Sequence, residues 1–95
     1  MDCMEFVLSK CTKDEKKKIE GLLTTKNEWM DKNGLVIGKI YIFVVGFHIG
    51  FGKLNGEHNL ETLEYSDGQE IRRLISIFDD NVKILFEKGG NPWEK

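Results

Sequence analysis

The residues of this chain best suited to acid–base, nucleophilic or metal chemistry are two histidines and two cysteines. Cys3 and Cys11 lie eight positions apart with no histidine near them, which is not a zinc-ligand spacing. A general base needs an orienting partner, and a metal needs several converging ligands. His48 and His58 have no such neighbours in the sequence. We therefore predict no catalytic residue, no metal site and no cofactor, and favour a non-enzymatic protein over an enzyme. We interpret His48 as a half-buried structural residue.

The segment around His48 is unusual because glycines interrupt a run of branched and aromatic residues. Side chains of a strand alternate between two faces, so His48, Gly50 and Gly52 share one nearly bare face. The segment matches neither the dinucleotide-binding fingerprint nor a phosphate loop. Strand-like residues flank it on both sides, and Leu54 rather than Ser or Thr follows Lys53. We interpret the bare face as space into which another part of the fold packs.

The alternative for this face is a ligand site. A bare strand face also admits the flat ring of a small molecule or nucleotide, with an aromatic side chain of the preceding strand stacking on it. The candidate ligand-binding residues under this hypothesis are Tyr41, Phe43, His48, Gly50 and Gly52.

Acidic residues are concentrated in one stretch of the chain. No Lys or Arg occurs between Leu54 and Ile71. Five acids occur there: Glu57, Glu61, Glu64, Asp67 and Glu70. Helix-dipole and edge-strand effects account for only some of them, and a one-sided acidic surface also steers a protein toward a basic partner. Our leading hypothesis is a small cytoplasmic interaction protein, of an accessory or inhibitor type, that presents these five residues to a basic protein surface.

Lysines in the first predicted helix raise a third possibility, nucleic-acid binding. Phosphate contacts would involve Lys13, Lys17 and either Arg72 or Arg73. However, acids are interspersed among the helix lysines at helix-neighbour spacing, where opposite charges neutralise each other. The net charge of −2 also gives no overall attraction to phosphate backbones or anionic membranes. We therefore interpret the lysines as a solvated helix face and rank nucleic-acid binding third.

Local signals predict the elements that position these residues. Thr12 and Glu15 have the capping-box spacing, which predicts that a helix begins there. The stretch from Leu35 to Val45 is rich in β-branched and aromatic residues and predicts a strand. Asn55-Gly56 is a hairpin signal, and it pairs the glycine-rich segment with the acidic one.

Three further elements are predicted toward the two ends of the chain. Residues 3–9 favour a strand by alternation, although a helical spacing also fits them. Ser66 and Gln69 repeat the capping-box spacing, and the apolar stripe that follows predicts a second helix. The stripe consists of Ile71, Leu74, Ile75 and Phe78. Side chains of two kinds alternate along residues 82–87, which predicts a last strand. The edge of this strand could pair with the same strand of a second copy and so form a homo-oligomer.

Together these elements predict one small α+β domain. The order is β-α-β-β-β-α-β, with a mostly antiparallel sheet, two helices packed on one face and the glycine-rich strand in a central position. The chain has 95 residues, too few for two cores. We expect the domain to span residues 1–90 and residues 91–95 to form a short flexible tail. We expect a cytoplasmic location without a membrane span, because the apolar runs are short and the cysteines form no disulfide framework.

Overall fold

The structure is a computed structural model that describes residues 1–25 and 28–94. Over these residues the chain forms two α-helices, one short 3-10 helix and six strands. The helices are α1 (Cys3–Ser9) and α2 (Lys13–Thr25), and the 3-10 helix is Lys32–Gly34. The strands are β1 (Ile40–Val45), β2 (His48–Leu54), β3 (Asn59–Ser66), β4 (Gln69–Ile71), β5 (Leu74–Ser76) and β6 (Val82–Glu87). The predicted class, one small α+β domain with an antiparallel sheet and two helices, is confirmed.

The strands form one antiparallel sheet in the order β4, β3, β2, β1, β6. β5 pairs with β3 in the same register as β4 does, so β4 and β5 are two halves of one edge strand interrupted at residues 72–73. The glycine-rich strand β2 takes the central position, as predicted. β1 begins at Ile40, later than the predicted start at residue 35. A turn from Val36 to Lys39, with Gly38 at a φ of 90°, precedes the strand.

Alternation along the strands gives the sheet two apolar faces and hence two cores, whereas the chain length was expected to allow only one. The first core joins Phe6 and Ile19 of the helices to Ile42 of the sheet, so two helices pack on one face, with α1 in place of the predicted second helix. The second core lies on the opposite face and contains Tyr41, Phe43, Leu54, Leu60, Ile77, Val82 and Ile84. Met30 and Leu35, from the segment between α2 and β1, pack against this second core. Neither face of the sheet is left bare.

The predicted capping box starts α2. The Glu15 backbone N–H donates to the Thr12 hydroxyl at 3.2 Å, and the Thr12 N–H donates to the Glu15 carboxylate at 2.9 Å. These bonds satisfy backbone groups that the first helical turn leaves unpaired. The same carboxylate accepts hydrogen bonds from Lys88 and from the Gly89 N–H, so the cap also ties α2 to the end of β6.

Residues 3–9 form a helix, so the predicted strand is wrong there. The Asp2 side chain accepts a hydrogen bond from the Glu5 N–H at 2.8 Å and caps the helix. Phe6 and Val7 both enter the first core. Adjacent residues can share one face of a helix, whereas in a strand they point to opposite faces.

The second predicted helix, over residues 66–78, is also wrong. Asp67-Gly68 instead makes a two-residue turn between β3 and β4, with φ values of 52° and 81°. Two consecutive positive φ values are what a type I′ hairpin turn requires. Beyond the turn, Ile75 and Ile77 pack in or against the second core while Leu74 is exposed. This alternation has the period of a strand, and the helical spacing of the apolar residues is coincidental.

The C-terminal strand has the predicted bounds, but its surroundings differ from the prediction. On the outer edge of β6, the Met30 N–H donates to the Ile84 carbonyl at 2.8 Å, which covers part of the edge expected to template a homo-oligomer. Pro92 is buried and Trp93 packs against the first core. Pro92 and Trp93 therefore lie on the domain, whereas Asn91 and Glu94 are exposed. Lys95 is outside the described residues.

Candidate functional site

The bare face of β2 is filled by side chains of β3. A Cβ atom at Gly50 would lie 2.7 Å from Cγ of Glu64, and one at Gly52 would lie 2.8 Å from Cβ of Leu60. Atoms in folded proteins do not approach so closely, so glycine at both positions makes room for these side chains. This arrangement agrees with the interpretation that another part of the fold packs on the glycines.

The aromatic residues assigned to the alternative ligand face lie in the second core. Tyr41 and Phe43 are buried and stand opposite the two glycines of β2. The Tyr41 hydroxyl accepts a hydrogen bond from the Val36 N–H at 2.8 Å. Neither ring is free to stack on a ligand. Of the five candidates, only His48 keeps a partly accessible side chain, with 27% exposed.

A carboxylate inside the sheet organises the residues around His48. Glu64 is 1% exposed, and its two oxygens accept three hydrogen bonds. Oε1 accepts from Arg73 Nη2 at 2.8 Å and lies 2.8 Å from His48 Nε2. Oε2 accepts from Arg73 Nε at 2.7 Å and from the Thr62 hydroxyl at 2.6 Å. Glu64 was expected on an acidic surface; it is instead buried and fully paired, so it is not available to a protein partner.

These donors decide the ionisation of Glu64. Burial alone raises the pKa of Glu64, but the hydrogen bonds from Arg73 and Thr62, with the charges of Arg73 and His48, outweigh burial and hold this pKa below its ordinary value. The hydrogen bonds to Glu64 also raise the pKa of Arg73. Both groups are therefore charged. The negative end of the pair is buried, and the positive end belongs to a side chain that is 50% exposed.

A pocket of about 250 Å³ opens beside this ion pair. His48, Glu64, Ser66, Ile71 and Arg73 line it. Three of these residues carry groups able to donate hydrogen bonds: the imidazole, the serine hydroxyl and the guanidinium. The pocket is therefore a small concavity in which several donors converge above a buried carboxylate.

The interruption between β4 and β5 brings Arg73 into this cluster. The Thr62 backbone N–H donates to the Arg73 carbonyl at 2.9 Å, whereas the Arg73 N–H donates to the Thr62 hydroxyl at 3.1 Å. Thr62 and Ser66 were not predicted as site residues, and Arg73 was considered only for phosphate contact together with the helix lysines, because residues 66–78 were predicted to form a helix. Had Asp67-Gly68 been interpreted as a hairpin turn, the resulting register would have placed residue 62 opposite residue 73.

The four other acids of the predicted acidic surface are exposed but do not form one ridge. Glu57 and Asp67 lie in the turns at opposite ends of β3, and Glu61 and Glu70 lie on the strands between them. Lys53 of β2 stands opposite Glu61 in the sheet register. The acids therefore surround the outer hairpin, which we define as β3, β4 and β5, and a cation partly offsets their charge on the β2 side.

The basic residues considered for phosphate contact do not come together. Lys18 of α2 lies over the Phe86 ring of β6, with Nζ 5.4 Å from the ring centroid, which places α2 over the β6 side of the sheet. Arg72 and Arg73 belong to the opposite edge, and Arg73 is bonded to Glu64. Lys18 and these arginines therefore lie toward opposite sides of the sheet.

The remaining reactive groups give no second centre. Burial, reinforced by the negative charge of Glu15, raises the pKa of the Cys11 thiol to about 11, so this thiol stays protonated near neutral pH. Across residues 1–25 and 28–94, no three His, Cys, Asp or Glu side chains are grouped so that they could hold a metal ion. Within those same ranges, every helix is too short or too polar to cross a membrane.

Comparison with known proteins gives no match to a protein-family model, to a curated protein or to a solved structure. The geometry of this chain is therefore the basis on which a function is proposed.

Proposed function

We propose that this chain is a non-enzymatic interaction protein that binds an extended, basic segment of a protein partner along the β4–β5 edge of its sheet. The observation that carries this proposal is an open strand edge with acidic surroundings and an exposed apolar side chain. Binding by strand addition uses main-chain hydrogen bonds for affinity and alternate side chains for specificity.

The backbone of the β4–β5 edge strand has one free side. In an antiparallel strand, alternate residues direct their N–H and C=O groups toward the neighbouring strand and away from it. The Arg73 carbonyl accepts a hydrogen bond from Thr62 of β3, so the flanking residues Arg72 and Leu74 direct theirs outward. In the described part of the chain, no hydrogen bond outside the strand ladders reaches the backbone of Leu74. This edge is more open than the β6 edge, which Met30 partly covers.

The charge around this edge favours a basic partner. Residues 57–76 contain five acids and two arginines, a net charge of −3, whereas the whole chain carries −2. Because Arg73 is paired with the buried Glu64, the exposed charges are four acids and Arg72. Such a field raises the rate of association with a basic segment and makes binding salt-dependent. Arg72 lies next to Leu74, so the partner residue facing Arg72 is expected not to be basic.

Leu74 gives the edge an apolar contact. Its side chain is 64% exposed and stands opposite Glu61 in the register of the outer hairpin. Glu70 lies on the same face of the strand, four residues before Leu74. A partner strand with an apolar residue against Leu74 and a Lys or Arg near Glu61 or Glu70 complements both features.

We also propose a cytoplasmic location. Cys3 and Cys11 are both free thiols in the fold. Reducing compartments keep cysteines in this state, whereas secreted domains of this size usually pair them.

Designed peptides test the proposal. The probe is an extended peptide of about ten residues that alternates Lys and Val, and its counterpart alternates Glu and Val. We expect the basic peptide to bind, as measured by fluorescence anisotropy, with an affinity that falls as salt is raised, and the acidic peptide not to bind. Amide hydrogen exchange should slow at Leu74 when the basic peptide is present and remain unchanged at Ile84 of the opposite edge.

A proline variant isolates the backbone contact. Leu74→Pro removes an outward-facing N–H without removing a bond to β3, so binding should weaken about tenfold. Leu74→Ala is the matched control, because it keeps the N–H and removes only the apolar contact. Equal binding of the two peptides, or slowed exchange at Ile84 instead of Leu74, would overturn the proposal. A dimer of the free protein that Leu74→Pro abolishes would assign the edge to self-association and would also overturn it.

A further inference from the structure

From the geometry around Glu64 we infer a separate binding site: the pocket beside Arg73 and His48 takes a small oxyanion, which is a carboxylate or a phosphate group. This site lies on the second-core face of the sheet and does not depend on strand addition at the β4–β5 edge.

The guanidinium of Arg73 has a second binding edge. Arginine carries five N–H donors, and Arg73 directs Nε and one Nη2 proton to Glu64. The other edge, formed by Nη1 and the second Nη2 proton, has the fork geometry that matches a carboxylate or a phosphate in a bidentate contact. Arg73 lines the pocket and is half exposed, so a ligand can reach this edge.

Glu64 acts here as a positioning residue. Its two hydrogen bonds to Arg73 hold the planar guanidinium in one orientation, which reduces the entropy lost when a second anion binds. Glu64 and Arg73 both line the pocket, but Glu64 is buried and Arg73 is half exposed, so the guanidinium is the more accessible end of the ion pair.

The other lining residues limit the size and chemistry of the ligand. His48 Nε2 lies 2.8 Å from Glu64 Oε1, and the second ring nitrogen takes no part in this contact. The Ser66 hydroxyl supplies a further donor, and Ile71 supplies an apolar wall. A pocket of about 250 Å³ holds about eight groups of the size of water. Phosphate or a short carboxylic acid fits this space.

Titrations with inorganic phosphate and, separately, with acetate test the inference. We expect saturable NMR shifts of the Arg73 Nε–H and of the His48 and Ser66 amides, with a dissociation constant in the millimolar range. The stronger of the two titrations identifies the preferred oxyanion. Chloride at matched ionic strength is the control for general salt effects and should give no saturable shift.

Two variants separate the site from its structural role. Arg73→Lys keeps the charge but removes the forked pair of guanidinium donors, so it should weaken oxyanion binding at least about tenfold. Arg72→Lys is the control, because Arg72 is adjacent and exposed, and this variant should bind the oxyanion like the parent. Ser66→Val fills the pocket without removing a hydrogen bond of Glu64, and should abolish the saturable shifts while the thermal midpoint stays close to that of the parent. Any of three results would overturn the inference. The NMR shifts do not saturate with either anion, chloride gives equal shifts, or Ser66→Val binds the anion like the parent. Arg72 and Arg73 belong to the β4–β5 edge, but both lysine variants keep the positive charge and the backbone groups that peptide capture uses. Peptide binding should therefore be unchanged in them, so failure of one site is distinguishable from failure of the other.

Discussion

Two buried or nearly buried carboxylates, Glu64 and Glu15, are paired by similar chemistry in different regions of the molecule. Glu64 lies inside the sheet, accepts from Arg73 and Thr62 and contacts His48. Glu15 lies at the start of α2 and accepts from Lys88 at 3.0 Å and from two backbone N–H groups. The cations differ in exposure: half of the Arg73 side chain is exposed, but only 5% of the Lys88 side chain is.

The exposure of the cation decides what each pair can do. Lys88 donates to Glu15 and to the Gly89 carbonyl, so its donors are used within the fold and the pair connects α2 to the end of β6. Arg73 uses one edge of its guanidinium on Glu64, and its half-exposed side chain also lines a pocket. A buried ion pair is therefore evidence of a binding site only where one partner retains free donors at the surface.

Removal of the cation from each pair should give the largest effect and separate the two regions. Arg73→Met leaves Glu64 buried with one of its three hydrogen bonds and should lower the free energy of unfolding by about 3 kcal/mol. Lys88→Met should lower it by about 1.5 kcal/mol, because Glu15 is more exposed than Glu64 and keeps two backbone donors. Urea unfolding measures both losses. Arg72→Met is the control, with an expected change within about 0.5 kcal/mol. Equal losses in the two regions would contradict the comparison.

Crowding the close contact between Gly50 and Glu64 should give the next largest loss of stability. In Gly50→Ala the new methyl group meets Glu64 Cγ at 2.7 Å and also crowds the Leu63 carbonyl and the Phe43 ring, so the free energy of unfolding should fall by about 2 kcal/mol. Gly56→Ala is the matched control, because no atom lies within 4 Å of a Cβ at that position. In a Glu64→Ala background the cost of Gly50→Ala should shrink, since the closest contact is gone. A cost that is unchanged in that background would show that Glu64 is not the group for which the glycine makes room.

A fall in pH should produce the smallest and most selective effect on the free energy of unfolding. Burial raises the pKa of Glu15, but the Thr12 N–H, Lys88 and the Gly89 N–H outweigh it, so its pKa lies below the ordinary value, as does that of Glu64. A folded-state pKa below the unfolded value of 4.5 stabilises the fold above that pH, and this stabilisation is lost as pH falls through the lower folded value. The variants Glu64→Gln and Glu15→Gln have no ionisable group at these positions, so they cannot lose this stabilisation as pH falls. The free energy of unfolding of each variant should therefore decline less steeply than that of the parent between about pH 5 and pH 2. If the free energy of unfolding of a variant falls with pH as steeply as that of the parent, the substituted carboxylate does not contribute to the acid sensitivity of the fold.

Several elements were predictable from local sequence alone. The capping box at Thr12 and Glu15 forms both of its hydrogen bonds, and β6 has the predicted bounds. These signals are reliable because the groups that interact lie within a few residues of each other. The predicted helix at Ser66 failed for a related reason: two local signals competed, and the positive φ values of Asp67-Gly68 specified a turn where the capping-box spacing suggested a helix.

The candidate site was predictable only in part. His48 and its bare strand face were recognisable from the spacing of the glycines, but Arg73 was not, because it joins His48 only through the pairing of β2 with β3 and of β3 with the edge strand. Glu64 appeared in the sequence as one acid of an acidic stretch. Its position in that stretch does not show whether its side chain points to solvent or into the sheet.

By itself the sequence determined which strand would have one face with few side chains, since glycine carries no side chain in any fold. Only the tertiary structure decided that an ionised carboxylate would occupy that gap. A charge can be buried there because donors from three different segments converge on it, and no spacing along the chain records such a convergence.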